Sequence, residues 1–195
     1  MSASENENER RRFFRLDDEI CLEYDLISEE AYANAENELA QIEQSAFSLS
    51  ADFATLSFEY NLTLNNIKST HPDIGQYFDL LNRKLDALSR HLLDDETPCD
   101  EATKQLVNIS ASGIAFDSTK ELKDKQPLRL RIILLPEKIG IVVFGRVCFS
   151  NKKNKHRVSV DFEHIRNGDQ ELMIKHNLNK QMHALRQRSE ENEES

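Results

Sequence analysis

The fold is decided by residues 103–162, which read TKQLVNISASGIAFDSTKELKDKQPLRLRIILLPEKIGIVVFGRVCFSNKKNKHRVSVDF. Short apolar runs alternate here with polar turns, and apolar residues often occupy every second position, as at Leu128, Leu130 and Ile132. A period of two is typical of strands that bury one face. Five strands are therefore expected, over residues 103–109, 113–117, 127–135, 139–149 and 155–162.

A sixth strand is predicted much earlier in the chain. Residues 16–27, LDDEICLEYDLI, place Ile20, Leu22, Tyr24 and Leu26 at alternate positions. Six short strands separated by polar turns are the pattern of a small antiparallel barrel or sandwich.

A helical segment, residues 28–97, separates the first strand from the other five. Ser28 followed by Glu29 and Glu30 is typical of a helix N-cap with acidic residues in the first turn. Apolar residues then follow at spacings of three and four, the seam of a coiled coil: Tyr32, Ala35, Leu39, Ile42, Ala46, Leu49, Phe53, Leu56 and Tyr60. This spacing predicts one long helix to about Lys68.

A second helix is expected over 74–95, after a break at Ser69–Asp73 that contains Pro72. Its apolar residues again alternate by four and three: Ile74, Phe78, Leu81, Leu85, Leu88 and Leu92. Two helices joined by a short turn form an antiparallel hairpin. These stripes could simply pack against each other within that hairpin.

The first helix carries a further apolar stripe, which comprises Ala33, Ala40, Phe47, Ala51, Ala54 and Phe58. The hairpin partner can cover only one of the two stripes, so the other needs the barrel or another subunit. We therefore expect a dimer or tetramer joined through residues 28–95, with Phe47 and Phe53 at the contact.

The two termini differ from the rest of the chain. Residues 169–188 are moderately amphipathic and predict a C-terminal helix, whereas residues 1–9 and the acidic residues 189–195 are expected to be disordered. The remaining boundaries place the start of the barrel at 10–27 and its remainder at 98–168.

Charge is divided between the parts of the chain. The net charge is −10, but residues 28–101 hold 4 basic and 15 acidic residues, whereas residues 102–166 hold 13 basic and 6 acidic residues. The overall acidity disfavours general nucleic-acid binding, and the basic part could receive an anion.

Location and cysteine chemistry follow from composition. No run of 18 apolar residues could insert into a membrane, and the polar N-terminus does not resemble a secretory signal, so a cytoplasmic protein is expected. Cys21, Cys99 and Cys148 are odd in number and widely spaced. They predict free thiols or small buried hydrophobes rather than a disulfide or a metal site.

Two short motifs stand out against this background. Arginines cluster immediately before the first strand in RRRFFR, residues 10–15, and NISASG, residues 108–113, lies at a strand-to-strand corner. Together they resemble the PilZ-domain family, whose ligand site is an RxxxR motif followed by a D/NxSxxG motif. Arg11 and Arg15 match the first motif, and Asn108, Ser110 and Gly113 match the second.

The resemblance covers 9–27 and 102–188 and implies an α+β fold: a small six-stranded antiparallel PilZ-type β-barrel with a C-terminal helix. The long helical-hairpin, coiled-coil-like insertion departs from the ordinary family pattern and is similar to an atypical, tetramer-forming branch. Some members of that branch have lost the ligand motifs, whereas this sequence keeps both.

The resemblance implies a receptor for the bacterial second messenger cyclic di-GMP, with no further cofactor. Arginine grips phosphates and the O6/N7 edge of guanine in a bidentate way and stacks on bases. Asn108 and Ser110 would contact a guanine edge while Arg11 and Arg15 hold phosphates. Arg10 and Arg12 could add contacts, and Arg10 before the motif makes a stacked pair of nucleotides plausible.

Other functions are less well supported by the residues. The histidines lack HxH or HExxH spacing, and the serines lack a nucleophile elbow, so neither a metal site nor an enzyme is expected. The alternative to a receptor is an oligomeric scaffold of the same fold that binds no nucleotide. In either case an unidentified protein partner is expected.

Overall fold

The computed structural model describes residues 14–42, 45–97, 99–100, 102–151 and 157–193. Six antiparallel strands form a closed barrel in the order β1-β2-β3-β6-β5-β4. Their bounds are β1 Leu16–Leu26, β2 Lys104–Ser110, β3 Gly113–Asp117, β4 Pro127–Leu134, β5 Ile139–Asn151 and β6 Arg157–His164. The predicted six-stranded barrel is confirmed, with strand ends within two residues of those expected.

The period of two explains how the barrel fills its interior. On β4, Leu128, Leu130 and Ile132 are completely buried, while Arg129 and Arg131 between them are only half-buried. Fully buried residues from the other strands pack against them: Ile20, Ile109, Ile114, Phe116, Ile141, Val143, Val158 and Val160. Packing of this apolar core holds the six strands in their relative register, and so it also positions the strand ends.

The inserted segment is helical but is divided into more pieces than the heptad pattern predicts. Its helices are α1 Glu29–Ala33, α2 Ala35–Ile42, α3 Ala46–Glu59, α4 Asn61–Thr70 and α5 Pro72–Glu96. Ser28 caps α1 as predicted, with its hydroxyl accepting a hydrogen bond of 3.1 Å from Ala31 N.

The prediction of one continuous helix from Ser28 to Lys68 is wrong. Asn34 ends α1 with its N–H bonded to Ala31 O, and Ser45 begins α3 by accepting from Ser48 N. Ser48 Oγ also donates to Ile42 O at the end of α2, at 2.6 Å. Because Ser side chains compete for backbone groups in this way, they favour helix ends over helix interiors.

The first half of the insertion packs on the outside of the barrel. Tyr32, Ala35, Leu39 and Phe47 form a second apolar cluster with Leu93 and with barrel residues Ile133, Val142 and Phe144. Approach is close at Gly140, where an added Cβ would lie 2.5 Å from Phe47 O. Phe47 is only 3% exposed. The expectation that Phe47 faces another subunit is therefore wrong, because this chain's own barrel covers it.

The second half of the insertion forms the predicted hairpin, in which α3 and α4 pack against α5. Its apolar residues are incompletely covered. An apolar groove of about 340 Å³ runs between the helices, lined by Phe53, Leu56, Tyr60, Leu64, Ile67, Phe78 and Leu85. Leu56, Tyr60, Phe78 and Leu85 are each at least 41% exposed, and Leu88 is 53% exposed.

The C-terminal helix, α6, spans Asn167–Glu193 and is longer than expected. The prediction of a disordered tail from residue 189 is wrong for 189–193, because this stretch, SEENE, contains no Gly or Pro and continues a well-formed helix. Leu172 and Met173 of α6 are buried, and Met173 joins the barrel core. None of the described helices combines the length and apolarity needed to cross a membrane.

Cys21 and Cys99 are joined by a disulfide, so the prediction that all three cysteines are unpaired is wrong. Cys21 lies on β1 and is 2% exposed, and Cys99 follows α5. The disulfide therefore links the two ends of the helical insertion at its junction with the barrel. The two cysteines are 78 residues apart in the sequence and meet only in the folded chain, so their spacing does not indicate that they pair.

Candidate functional site

Arg15 of the first motif lies beside the second motif on one side of the barrel. Arg15 immediately precedes β1, and Asn108–Gly113 spans the end of β2, a turn and the start of β3. β1 and β2 pair with Leu16 opposite Ile109, which brings Arg15 to the turn. A Cβ added to Gly113 would lie 3.1 Å from Arg15 Nη2. The remaining predicted arginines, Arg10, Arg11 and Arg12, lie outside the described residues.

Arg15 is half-buried. It forms no hydrogen bond or ion pair with any other residue that the structure describes. Since a guanidinium offers five N–H donors and is always charged, this group can receive an anion without first giving up a protein partner.

Gly113 is required by space and not by backbone conformation. No described glycine has a positive φ. Instead, an added Cβ would lie 2.7 Å from Val160 O on the neighbouring strand as well as close to Arg15. Any larger residue would push β3 away from β6 or displace the guanidinium.

Ser110 has a structural position in the turn. Its side chain is completely buried, and its hydroxyl donates to Gly113 O at 3.3 Å and accepts from Ser112 N at 3.3 Å. In this arrangement the Ser110 hydroxyl shapes the corner that Gly113 completes and does not face solvent. The predicted contact between Ser110 and a guanine edge remains a prediction.

Asn108 lies half-buried on the outer surface of β2, opposite Asp17 of β1. Its Nδ2 donates a hydrogen bond of 2.9 Å to Asp17 Oδ1. Neither sequence motif includes Asp17. The alternation of β1 places Asp17 on the outward face with Glu19, but only the observed register shows that Asp17 lies beside the motif asparagine.

A second acidic side chain, Asp161, borders the site from β6. It is exposed, pairs in register with Gly113, and its Oδ1 would lie 3.4 Å from a Cβ on that glycine. Partial desolvation and the nearby Asp161 raise the pKa of the Cys148 thiol to about 11, against the opposing charge of Arg15. Among the described residues, the site therefore combines two carboxylates with the guanidinium of Arg15, which has no ion-pair partner there.

Hydrogen bonds from α6 and β6 also hold the turn that carries the second motif. Gln170 Nε2 of α6 donates to Ala111 O at 3.1 Å, and Phe162 N of β6 donates to Ser112 O at 2.9 Å. Both bonds hold the backbone of the turn. The position of Gln170 depends on how α6 docks on the barrel, which no local pattern in the sequence indicates.

Comparison with known proteins agrees with this architecture. The family model for the PilZ domain matches residues 87–178. No curated protein matches the chain significantly in sequence.

Two solved structures are similar to parts or all of the chain. A pathogenic protein from Xanthomonas campestris, a tetrameric PilZ domain self-assembled via a helical bundle, is 13% identical with a TM-score of 0.55. The match covers 94% of this chain and 95% of that one, so it extends through the helical insertion. The Bacillus subtilis inhibitor of motility is 26% identical over 43% of this chain and 44% of its own, and its TM-score of 0.34 does not indicate a shared overall fold.

The six-stranded barrel, the contact of Arg15 with the β2–β3 corner and the match of the family model agree with one another. This chain therefore carries a PilZ domain, matched over residues 87–178.

Proposed function

We propose that this protein is a receptor for cyclic di-GMP. The observation that carries the proposal is the position of Arg15, whose guanidinium lies against Gly113 of the second motif and forms no hydrogen bond or ion pair with another described residue. Residues almost one hundred positions apart in sequence thus form one surface that has a free cation, an amide and a closely approachable backbone. These groups suit a ligand with phosphates and guanine edges.

In this proposal Arg15 binds a phosphate or stacks on a base at the barrel surface. Arg11, with Arg10 and Arg12 beside it, adds contacts from the segment that precedes Phe14. The ligand carries negative charge, so it compensates for placing several arginines together at a single site. Arg10 supports a ratio of two nucleotides per chain.

We also propose that the protein assembles as a dimer or tetramer through its hairpin. The apolar groove and the exposed Phe78, Leu85 and Leu88 support this, because a contiguous apolar strip of this kind is uncommon on monomers. The solved tetramer from Xanthomonas campestris assembles via a helical bundle. The occupant that suits a groove between two helices here is a helix of a second copy.

A scaffold that assembles without binding nucleotide is the competing function. The exposed hairpin favours it as much as it favours a receptor, since assembly is common to both. The guanidinium of Arg15, which has no partner within the described part of the chain, favours the receptor alone.

Calorimetric titration of the full chain with cyclic di-GMP tests the proposal. The unmodified protein should bind with micromolar or tighter affinity. Arg15→Ala should weaken binding on the order of tenfold to hundredfold, the effect of losing one charge-assisted contact. Arg157→Ala removes a half-buried barrel arginine that pairs with Asp117 at 3.3 Å, and it should leave the affinity nearly unchanged.

The possible failures are distinct. No binding by the unmodified protein at about 100 μM ligand, an affinity weaker than about −5.5 kcal/mol, would favour the scaffold. Binding that Arg15→Ala leaves unchanged would show that the nucleotide binds elsewhere. A ratio of one nucleotide per chain would remove the stacked pair and leave the receptor function intact.

A further inference from the structure

We propose that Asp17 acts with Asn108 as the element that selects guanine over adenine. Nothing in either motif marks Asp17, and the inference rests on the proposed cyclic di-GMP site. It starts from one contact, in which Asn108 Nδ2 donates to Asp17 Oδ1 across paired residues of β1 and β2.

This contact fixes the orientation of the Asn108 amide. An ionised carboxylate can only accept hydrogen bonds, so the amide must turn its NH₂ group toward Asp17. The Asn108 Oδ1 atom then points away from Asp17 and is left as an acceptor. Without Asp17, the amide could rotate by 180° at little cost and present a donor instead.

The pair also leaves acceptor capacity on Asp17 itself. Asp17 is exposed and forms no ion pair with another residue in the part of the chain that the structure describes. Its two oxygens have about four lone-pair sites, of which the contact with Asn108 uses one. Asn108 Oδ1 and the Asp17 carboxylate therefore present adjacent acceptors on the outer face of the β1–β2 pair.

Two adjacent acceptors are complementary to the Watson–Crick edge of guanine but not to that of adenine. The Watson–Crick edge of guanine carries two neighbouring donors, N1–H and the 2-amino group. Adenine has an acceptor at N1 and no 2-amino group, so its N1 lone pair would face an acceptor. A good bidentate pair provides discrimination of about 1–3 kcal/mol between bases, or about fivefold to 150-fold.

Because Asp17 is charged, two possible roles of this residue predict opposite changes in cyclic di-GMP affinity when the charge is removed. A carboxylate beside a site for an anionic ligand weakens binding of any such ligand through repulsion. If Asp17 acted only as a charge, Asp17→Asn would strengthen binding of every cyclic dinucleotide equally. If it acts as an acceptor for guanine, Asp17→Asn weakens cyclic di-GMP and not cyclic di-AMP.

The experiment measures affinities of the full chain for cyclic di-GMP, cyclic di-IMP, which lacks the 2-amino group, and cyclic di-AMP. Asp17→Asn should weaken cyclic di-GMP on the order of tenfold and reduce its preference over cyclic di-AMP by at least as much. Cyclic di-IMP should lose less than cyclic di-GMP. Glu19→Gln is the matched control, because it removes the same charge from the same face of β1 and should leave the preference unchanged.

A swap of the two side chains adds a test that does not depend on one variant. Asp17→Asn combined with Asn108→Asp restores one carboxylate and one amide in contact, and it should recover the guanine preference to within about threefold. An unchanged preference in Asp17→Asn, or a swap that fails to recover it while remaining folded, would overturn the inference. Absence of cyclic di-GMP binding by the unmodified protein would overturn the proposed function as well, which separates the two failures.

Discussion

Arg166 Nη1 lies 2.9 Å from Asp52 Oδ1, and this ion pair joins the residue before α6 to α3 of the helical insertion. The same guanidinium holds Asp169 through two hydrogen bonds of 2.8 and 2.7 Å. Because Gln170 binds the motif turn only four residues later, one short stretch contacts both the candidate ligand site and the insertion. A change at the turn therefore has a direct physical route to the helices that are proposed to assemble.

Arg166 should contribute far more to stability than its partner on the insertion. Its side chain is 12% exposed and that of Asp169 is 3% exposed, so Arg166→Met removes two charge-assisted hydrogen bonds from a buried carboxylate and should lower the free energy of unfolding by about 3 kcal/mol. Asp52 is 33% exposed, and Asp52→Asn should cost about 1 kcal/mol or less. Urea denaturation compares the two, and equal losses would show that the bond to α3 is the important one.

Asp18 should make the fold sensitive to acid. It is buried at the barrel end and accepts hydrogen bonds of 2.6 Å from both His176 and Lys180 of α6. Burial alone would raise the pKa of Asp18, but these two partners together lower it below its usual value. A carboxyl whose pKa is lower in the folded state stabilises the fold above its unfolded pKa and loses that effect as the pH falls through the folded value.

We therefore expect stability to decrease below about pH 4 in part because Asp18 becomes protonated. Asp18→Asn should lower the free energy of unfolding at pH 7 by about 3 kcal/mol and flatten its dependence on pH in the acid range. Denaturation curves between pH 3 and pH 7 measure both effects. Asp17→Asn, one residue away on the exposed face, serves as the control, and an equally flattened curve for it would contradict this role of Asp18.

The sequence predicts the parts of this fold that depend on local periodicity. Alternation placed all six strands, and the capping residue Ser28 placed the first helix start. The break expected over Ser69–Asp73 is narrower than predicted, because α4 continues to Thr70 and α5 already begins at Pro72. Heptad spacing did not predict the breaks at Asn34 and Ser45, because side-chain capping and docking on the barrel outweighed the continuous pattern. Heptad spacing shows which residues of the insertion are apolar, but it does not show which of them the barrel covers.

Likewise, only some residues of the candidate site could be predicted from the sequence. Motif spacing indicated Arg15, Asn108 and Gly113, whose meeting the barrel topology produces. Asp17 and Asp161 depend on the register between strands that are distant in sequence, and a shift of one residue would turn either side chain to the other face. Register is set by the packed core, which a single sequence shows only as an alternation.

The disulfide should leave one reactive thiol in the denatured protein. Without reductant, alkylation after denaturation should label Cys148 alone, and with reductant it should label all three cysteines, which intact mass measures directly. In the entropy model, closing a loop of this length stabilises the fold by about 4 kcal/mol, so Cys99→Ser should lower the denaturation midpoint strongly. Three labels without reductant would contradict the pairing of Cys21 and Cys99.

The proposed assembly should depend on the exposed half of the hairpin. Phe78 is 41% exposed and Leu85 is 45% exposed, and both line the apolar groove between the helices. Phe78→Glu and Leu85→Glu would each place a charge in a desolvated contact, so either should reduce the oligomer to monomers. Light scattering at tens of micromolar protein measures the mass, and nucleotide affinity should survive because the barrel does not use this surface.

Phe47→Glu is the informative contrast, since Phe47 carries the same side chain on the same insertion but packs on the chain's own barrel. A glutamate there would be a buried, unpaired charge next to Phe144 and Val142. The free energy of unfolding should therefore fall by several kcal/mol, and the variant should unfold rather than dissociate into folded monomers. Circular dichroism melts separate unfolding from dissociation. Monomers from Phe47→Glu with an unchanged melting temperature would show that this face does contact a second copy. A monomeric mass for the unmodified chain would show instead that the exposed hairpin face is stable in water.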